Sequence, residues 1–323
     1  MTRLILTSSD SAAGCLLGAG VGDIVVPFGF RFVWGELPSA ERLEAMLGPG
    51  SLDHFPQHRL GGFDPGEAGT LDLCERCETV ELWFDPEPNA QLVLVQLLDY
   101  LASREGIASK LALFQADVDM ANQVPQALSE WKPPGFKIRK EHLEAASMAW
   151  QAYRHPTPQH WVDLLGKDIG VLPQLRQAVL ELLEELPMPA TGIGATEMRM
   201  LELVAAGNAT PPDVFPDHQK RNTRRVFGYW EVGALLDGLA RGLAPAVAGL
   251  EEGPFTDGLH ADESRHTRYK QSKLSLTALG EAVLAQADDF SLHNPIRRWW
   301  GGTKLTNDNL WRWDVAGRAL IAP

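Results

Sequence analysis

The run ETVELWFDPEPNAQLVLVQLLDYLAS, residues 78–103, decides the fold. Its first seven residues are rich in β-branched and aromatic types and run into the breaker stretch DPEPN, which predicts a buried strand. AQLVLVQLLDYLAS, from Ala90 to Ser103, predicts a strongly apolar helix directly behind it. On either side the pattern repeats. LILT (Leu4 to Thr7), DIVVPF (Asp23 to Phe28) and KLALFQAD (Lys110 to Asp117) read as further strands. SSDSAAGCLLGAG and SAERLEAML (Ser39 to Leu47) read as capped helices, the latter with Glu41 in its first turn. Gly48 to Gly69 is rich in Gly and Pro and predicts loop. Strands alternating with helices predict an α/β domain over residues 1–130, with three layers and a mainly parallel sheet.

Beyond the break WKPPGF (Trp131 to Phe136) the pattern turns helical: HLEAASMAWQAYR, TPQHWVDLL and LPQLRQAVLELLEEL. Leu172, Leu175, Val179, Leu182, Leu183 and Leu186 fall at helical spacing, with Pro173 near the start and Pro187 and Pro189 as stops. Residues 138–189 therefore predict a helical connector. From residue 190 to 323 a third region is expected. ATEMRMLELVAAG and YWEVGALLDGLARGL are helices, and KLSLTALGEAVL is a short strand with Thr277 capping a further helix. That order predicts a winged-helix-like domain.

Composition narrows the function classes. The chain has 323 residues, 45% hydrophobic and 22% charged, which fits a globular protein and excludes disorder. No apolar run approaches the ~20 residues of a membrane helix, and the apolar stretch in MTRLILTSSDSAAG is too short for a secretory signal, so a cytoplasmic location is expected. The three cysteines are an odd number in a large chain and predict no disulfide framework. Net charge is −13, and residues 1–190 carry 14 basic against 26 acidic side chains. That acidity argues against coating nucleic acid or anionic lipid. The remaining residues are almost neutral and hold two basic clusters, Lys220, Arg221, Arg224 and Arg225, then Arg265, Arg268, Lys270 and Lys273.

The strongest candidate site is the turn after the first strand, Ser8, Ser9, Asp10 and Ser11, followed by small Ala12 and Ala13. Ligands of parallel sheets bind outside the carboxyl ends of strands, where a helix N-terminus offers unpaired N–H groups. Asp10 there suits a divalent metal, a ribose hydroxyl or a proton in transit, and the plainer role of Ser9 or Asp10 is a helix cap. Asp85 and Gln91 follow the third strand; if it neighbours the first, Asp10 and Asp85 line one cleft, and two carboxylates suit a divalent cation or acid/base work. The plainer role of Asp85 to Gln91 is a turn capping the next helix.

Other constellations are weaker. Cys74-x-x-Cys77 with His54 and His58 upstream has zinc-ligand types and spacing, although a helical CxxC simply places a thiol inward. GAGVGD (Gly18 to Asp23) precedes a strand, whereas a dinucleotide fingerprint follows one, so it predicts a helix stop. A DNA-reading helix needs basic and amide side chains, and YWEVGALLDGLARGL offers Glu231 and Asp237, with Arg241 only at its end. In the tail, Arg312 between Trp311 and Trp313 can stack on one ring and pair with Asp314, or the group can form a wall for a planar ligand; structural closure is the plainer role, and Gly301-Gly302 predicts a turn and short hairpin after Trp299 and Trp300.

SSDSAAG, ELWFDPEPNAQL and RRWWGGTKL with WRWD together resemble a bacterial family, domain of unknown function 1835 with its C-terminal companion domain 3658. The likeness covers nearly the whole chain. The family's opening Gly is Ser9 here, followed by Asp10, Ser11, Ala12 and Ala13; its Leu-Trp-Phe strand and trailing acid and Gln are Leu82, Trp83, Phe84, Asp85 and Gln91, with Pro86 and Pro88 as departures. Ala195, Thr196 and Glu197 also fit. The resemblance implies an architecture and no activity. The residues themselves favour binding of a small anionic or nucleotide-like ligand, with the C-terminal domain as a regulatory or protein-partner module. The alternatives are a hydrolase or transferase acting on a phosphorylated substrate through Asp10 and Asp85, and a DNA-binding regulator.

Overall fold

Five strands form the main sheet: β1 (Arg3–Thr7), β2 (Ile24–Pro27), β3 (Thr79–Phe84), β4 (Leu111–Gln115) and β5 (Gly135–Lys137). Their order is β2-β1-β3-β4-β5, with β1, β2, β3 and β4 mutually parallel and β5 antiparallel on β4. The computed structural model describes residues 3–53, 55, 60, 68–115, 120, 125–131, 134–215 and 226–323. The expected α/β sheet is present. β5 departs from the sequence reading, which took 131–136 as a break: Gly135 lies so near the Phe114 ring that a Cβ would come within 2.3 Å of it.

Helices cover both faces. α1 (Asp10–Gly18), α2 (Ala40–Ala45), α3 (Thr70–Arg76), α4 (Pro88–Leu101), α5 (Glu105–Ala108), α6 (Pro125–Glu130) and α7 (Lys140–Arg154) follow in chain order. Ala12, Ala13 and Leu16 of α1 and Leu128 of α6 pack with Ile5, Val25 and Trp83 on one face. α4 is buried almost all round because α7 packs against it, which explains why its sequence is apolar without a polar stripe. Gly20, at φ +65°, stops α1 as the glycine run predicts.

The chain forms two compact units. One comprises Met1–Phe32, Glu36–His155 and Asp163–Ala178; the other comprises Val33–Gly35, Pro156–Val162 and Val179–Pro323. The stretch 138–189, expected as a connector, is thus shared between them, with α7 in the first unit.

In the second unit, α8 (Gln159–Asp163) is followed by α9 (Leu175–Glu184), whose C-terminal part belongs here, then α10 (Ala195–Ala205), α11 (Pro211–Val214), α12 (Tyr229–Arg241), β6 (Val247–Ala248), α13 (Asp257–Ala261), α14 (Glu263–Gln271), β7 (Ser275–Leu276) and α15 (Ala278–Leu284). Its core joins Met200 and Leu201 of α10, Val232 and Leu236 of α12, Phe255, Tyr269 and Val283. β6 and β7 pair antiparallel, and Thr277 caps α15 as expected, its Oγ1 accepting from Gly280 N at 3.1 Å. After α16 (Phe290–His293), β8 (Arg297–Trp300) and β9 (Thr303–Thr306) form the hairpin expected around Gly301-Gly302, and β10 (Arg312–Asp314) pairs with β11 (Ala319–Ile321). Among the described residues, no helix is long and apolar enough to cross a membrane.

Candidate functional site

β1 and β3 are neighbours, so Ser8 and Asp85 leave the sheet at the same edge, just past the paired residues Thr7 and Trp83. α1, after β1, covers one face of the sheet, while α4, after β3, packs with α7 on the other. The β1/β3 boundary is therefore the topological switch point, the place where ligands of open α/β sheets commonly bind.

The residues at these strand ends form a hydrogen-bonded chain. Ser8 Oγ donates to Asp85 Oδ2 at 3.3 Å, and Met120 N donates to Asp85 Oδ1 at 2.8 Å. Gln91 Nε2 donates to the Asp85 carbonyl at 2.6 Å, and Gln115 Nε2 donates to Gln91 Oε1 at 2.9 Å. All four side chains are buried. Two polar atoms at the same strand ends, Thr7 Oγ1 and Gln115 Oε1, are buried with no hydrogen-bond partner among the described residues. An atom left so costs about 1–3 kcal/mol unless water or a ligand reaches it.

The rim is α1. Ser9 is its cap, with Oγ accepting from Ala12 N at 3.2 Å, while Asp10 and Ser11 of the first turn are exposed. Ala12 and Ala13 are fully buried, and their small size lets α1 approach Ile5 and Val25. Of the residues singled out in the sequence, Ser8, Asp85 and Gln91 meet in this network, which Gln115 and the Met120 N–H join unannounced. Gln115 had a signal, a polar residue closing an otherwise apolar strand.

Asp10 is exposed on α1, while Asp85 is 4% exposed and accepts from Ser8 and Met120. Among the described residues no three His, Cys, Asp or Glu side chains converge as metal ligands. Cys74 and Cys77 sit in and at the end of α3, both buried, and burial pushes the Cys74 thiol up to about 12 and the Cys77 thiol upward as well. His54 and His58 lie outside the described residues.

The second unit corrects two expectations. Glu231 and Asp237 are not presented on a polar face of α12: Glu231 accepts from Gly228 N at 2.8 Å in a capping box, and Asp237 accepts from Phe255 N and from Arg241 Nε. Burial holds the Asp237 carboxyl above its usual range. Arg312 does not pair with Asp314. Its Nη2 donates to Asp289 Oδ2 at 2.7 Å and its Nη1 to the Met188 carbonyl at 3.0 Å, and the cation above a ring in this tail is Lys304 over Trp299. Of the basic clusters, Arg265 and Arg268 both pair with Glu252, and residues 220–225 lie outside the described residues.

Glu185 has no precedent in the sequence reading. Buried, it accepts from Thr196 N at 3.2 Å and Thr196 Oγ1 at 2.7 Å at the start of α10, and burial raises its carboxyl to about 7. No family model and no curated protein matches the chain.

Proposed function

We propose that the first unit binds a small anionic, nucleotide-like molecule in the crevice at the β1/β3 switch point. The observation that carries this reading is the Ser8 to Asp85 hydrogen bond, which ties the loops after two adjacent parallel strands into one floor beside the Thr7 and Gln115 atoms that have no partner among the described residues. The first-turn N–H groups of α1 and the exposed Ser11 hydroxyl supply donors and partial positive charge to an anionic group. Asp85, already committed to Ser8 and Met120, shapes the floor and leaves the anion contact to the rim. The second unit is read as a winged-helix-like output or partner module. Its motifs resemble those of domain families 1835 and 3658, and this reading takes the chain to share their architecture.

Native mass spectrometry of the protein isolated from its own cell extract tests this. The expected result is an organic adduct on the 35.5 kDa chain, retained under gentle activation and lost in Ser11→Glu, which sets a carboxylate on the rim. Bare chain mass for wild type and variant alike contradicts it.

A further inference from the structure

A cavity of about 270 Å³ opens at the carboxyl end of β2, the strand on the other side of β1 from β3. Phe28 and Phe30 form one wall, their ring centroids 5.6 Å apart, and Met46 and Phe55 contribute further apolar surface. Its polar side chains are Ser51 and Thr70: their hydroxyls lie 3.2 Å apart, and Thr70 N donates to Ser51 Oγ at 3.0 Å. Among the described residues, no charged side chain lines it. Its volume falls just below the ~300–1,000 Å³ of drug-sized sites, which suits one planar ring system. Aromatic and thioether surface favours a flat π face, and the hydroxyl pair can hydrogen-bond a heteroatom at its edge.

The cavity adjoins the crevice. Thr7 lies opposite Pro27, and Phe28 N donates to the Thr7 carbonyl at 2.7 Å, so the wall begins one strand spacing, about 4.8 Å, from the residue leading into Ser8. Its aromatic segment is clamped from α4. Asn89 Oδ1 accepts from Phe32 N at 2.9 Å, and Asn89 Nδ2 donates to the Phe30 carbonyl at 2.7 Å. A buried Asn at the second position of α4 thus fixes a phenylalanine wall beside an anion-compatible turn.

We infer that this cavity receives the base of a nucleotide whose phosphate lies at the Ser8–Ser11 turn, an inference that rests on the proposed binding at that turn. The ring is held by stacking and by the Ser51–Thr70 hydroxyls, and the charge stays at the turn. Calorimetric titration of the full chain with the four common ribonucleoside monophosphates and with ribose 5-phosphate tests it. At least one monophosphate is expected to bind about tenfold tighter than ribose 5-phosphate, the effect of one base–aromatic stack. In Phe30→Ala this advantage disappears while ribose 5-phosphate affinity is unchanged; Met46→Glu, which puts a charge into the lining, gives the same result if the first variant unfolds. Equal binding of ribose 5-phosphate and all four nucleotides overturns the base site and leaves the turn reading standing. A base preference that survives both variants overturns the location. Binding of neither class overturns the turn reading together with the inference.

Discussion

Ser8 and Asp85 lie 77 residues apart in sequence, yet Ser8 Oγ donates to Asp85 Oδ2 across the carboxyl ends of β1 and β3. The same carboxylate takes the Met120 N–H, so one buried side chain holds together segments following three parallel strands. The carboxylate thereby fixes these segments relative to one another.

Removing that carboxylate is expected to be costly. Asp85→Ala leaves the Ser8 hydroxyl and the Met120 N–H buried without an acceptor, at about 2–5 kcal/mol in total. Asp85→Asn keeps one carbonyl oxygen and costs roughly half as much. Urea unfolding measures both, and a loss below about 1 kcal/mol for the alanine variant would show that the floor does not depend on Asp85.

Glu185 predicts a pH dependence. Its folded carboxyl titrates near 7, above the usual 4.5, so between these values the folded state holds a proton that the unfolded chain has released. This contribution is fully present below about 4.5 and is lost as pH rises through 7, about 3 kcal/mol in all. Glu185→Gln removes the titrating group. Unfolding of the second unit measured at pH 4.5, 6 and 8 should show a downward slope in wild type that is absent from the variant; parallel curves contradict the assignment.

Arg312 is expected to hold the tail. It donates to Asp289, to Ser291 Oγ and to the Met188 carbonyl, and the Asp289 side chain is only 15% exposed. Arg312→Ala strands that carboxylate and is predicted to cost about 2–4 kcal/mol, with Arg312→Lys recovering only part because one ammonium cannot span the fork. Thermal unfolding of the two variants checks the order.

The thiols should differ in reactivity. Cys74 and Cys77 are buried with pKa values raised by burial, whereas Cys15 is half-buried on α1. At pH 8 one thiol in three is expected to react rapidly with an aromatic disulfide reagent, and all three after denaturation. Rapid labelling of a Cys15→Ser variant in its native state would contradict this.

What was legible in the sequence was local. β3 and α4 announced themselves through β-branched residues, a Pro-rich break and an apolar run, and the Ser9, Ser39 and Thr277 caps through their hydroxyls. β5 was hidden because three residues after a Pro-Pro pair carry no period, and its edge position is set by β4. The role of α7 was hidden for another reason: an amphipathic stripe says that a helix packs, and not that it packs on α4. At the site, residue types at the ends of β1 and β3 were readable, but not that Asp85 would be buried and turned to Ser8 while Asp10 faced solvent. Arg312 likewise found Asp289, 23 residues away, over its near neighbour Asp314.

The central claim is that a small anion binds at the ends of β1 and β3, and backbone amide NMR during titration with ribose 5-phosphate tests it most directly. The account predicts saturable shifts concentrated at residues 8–13 and 85–91, weakened by Ser11→Glu. A full titration that leaves those amides unmoved, or moves others instead, would contradict it.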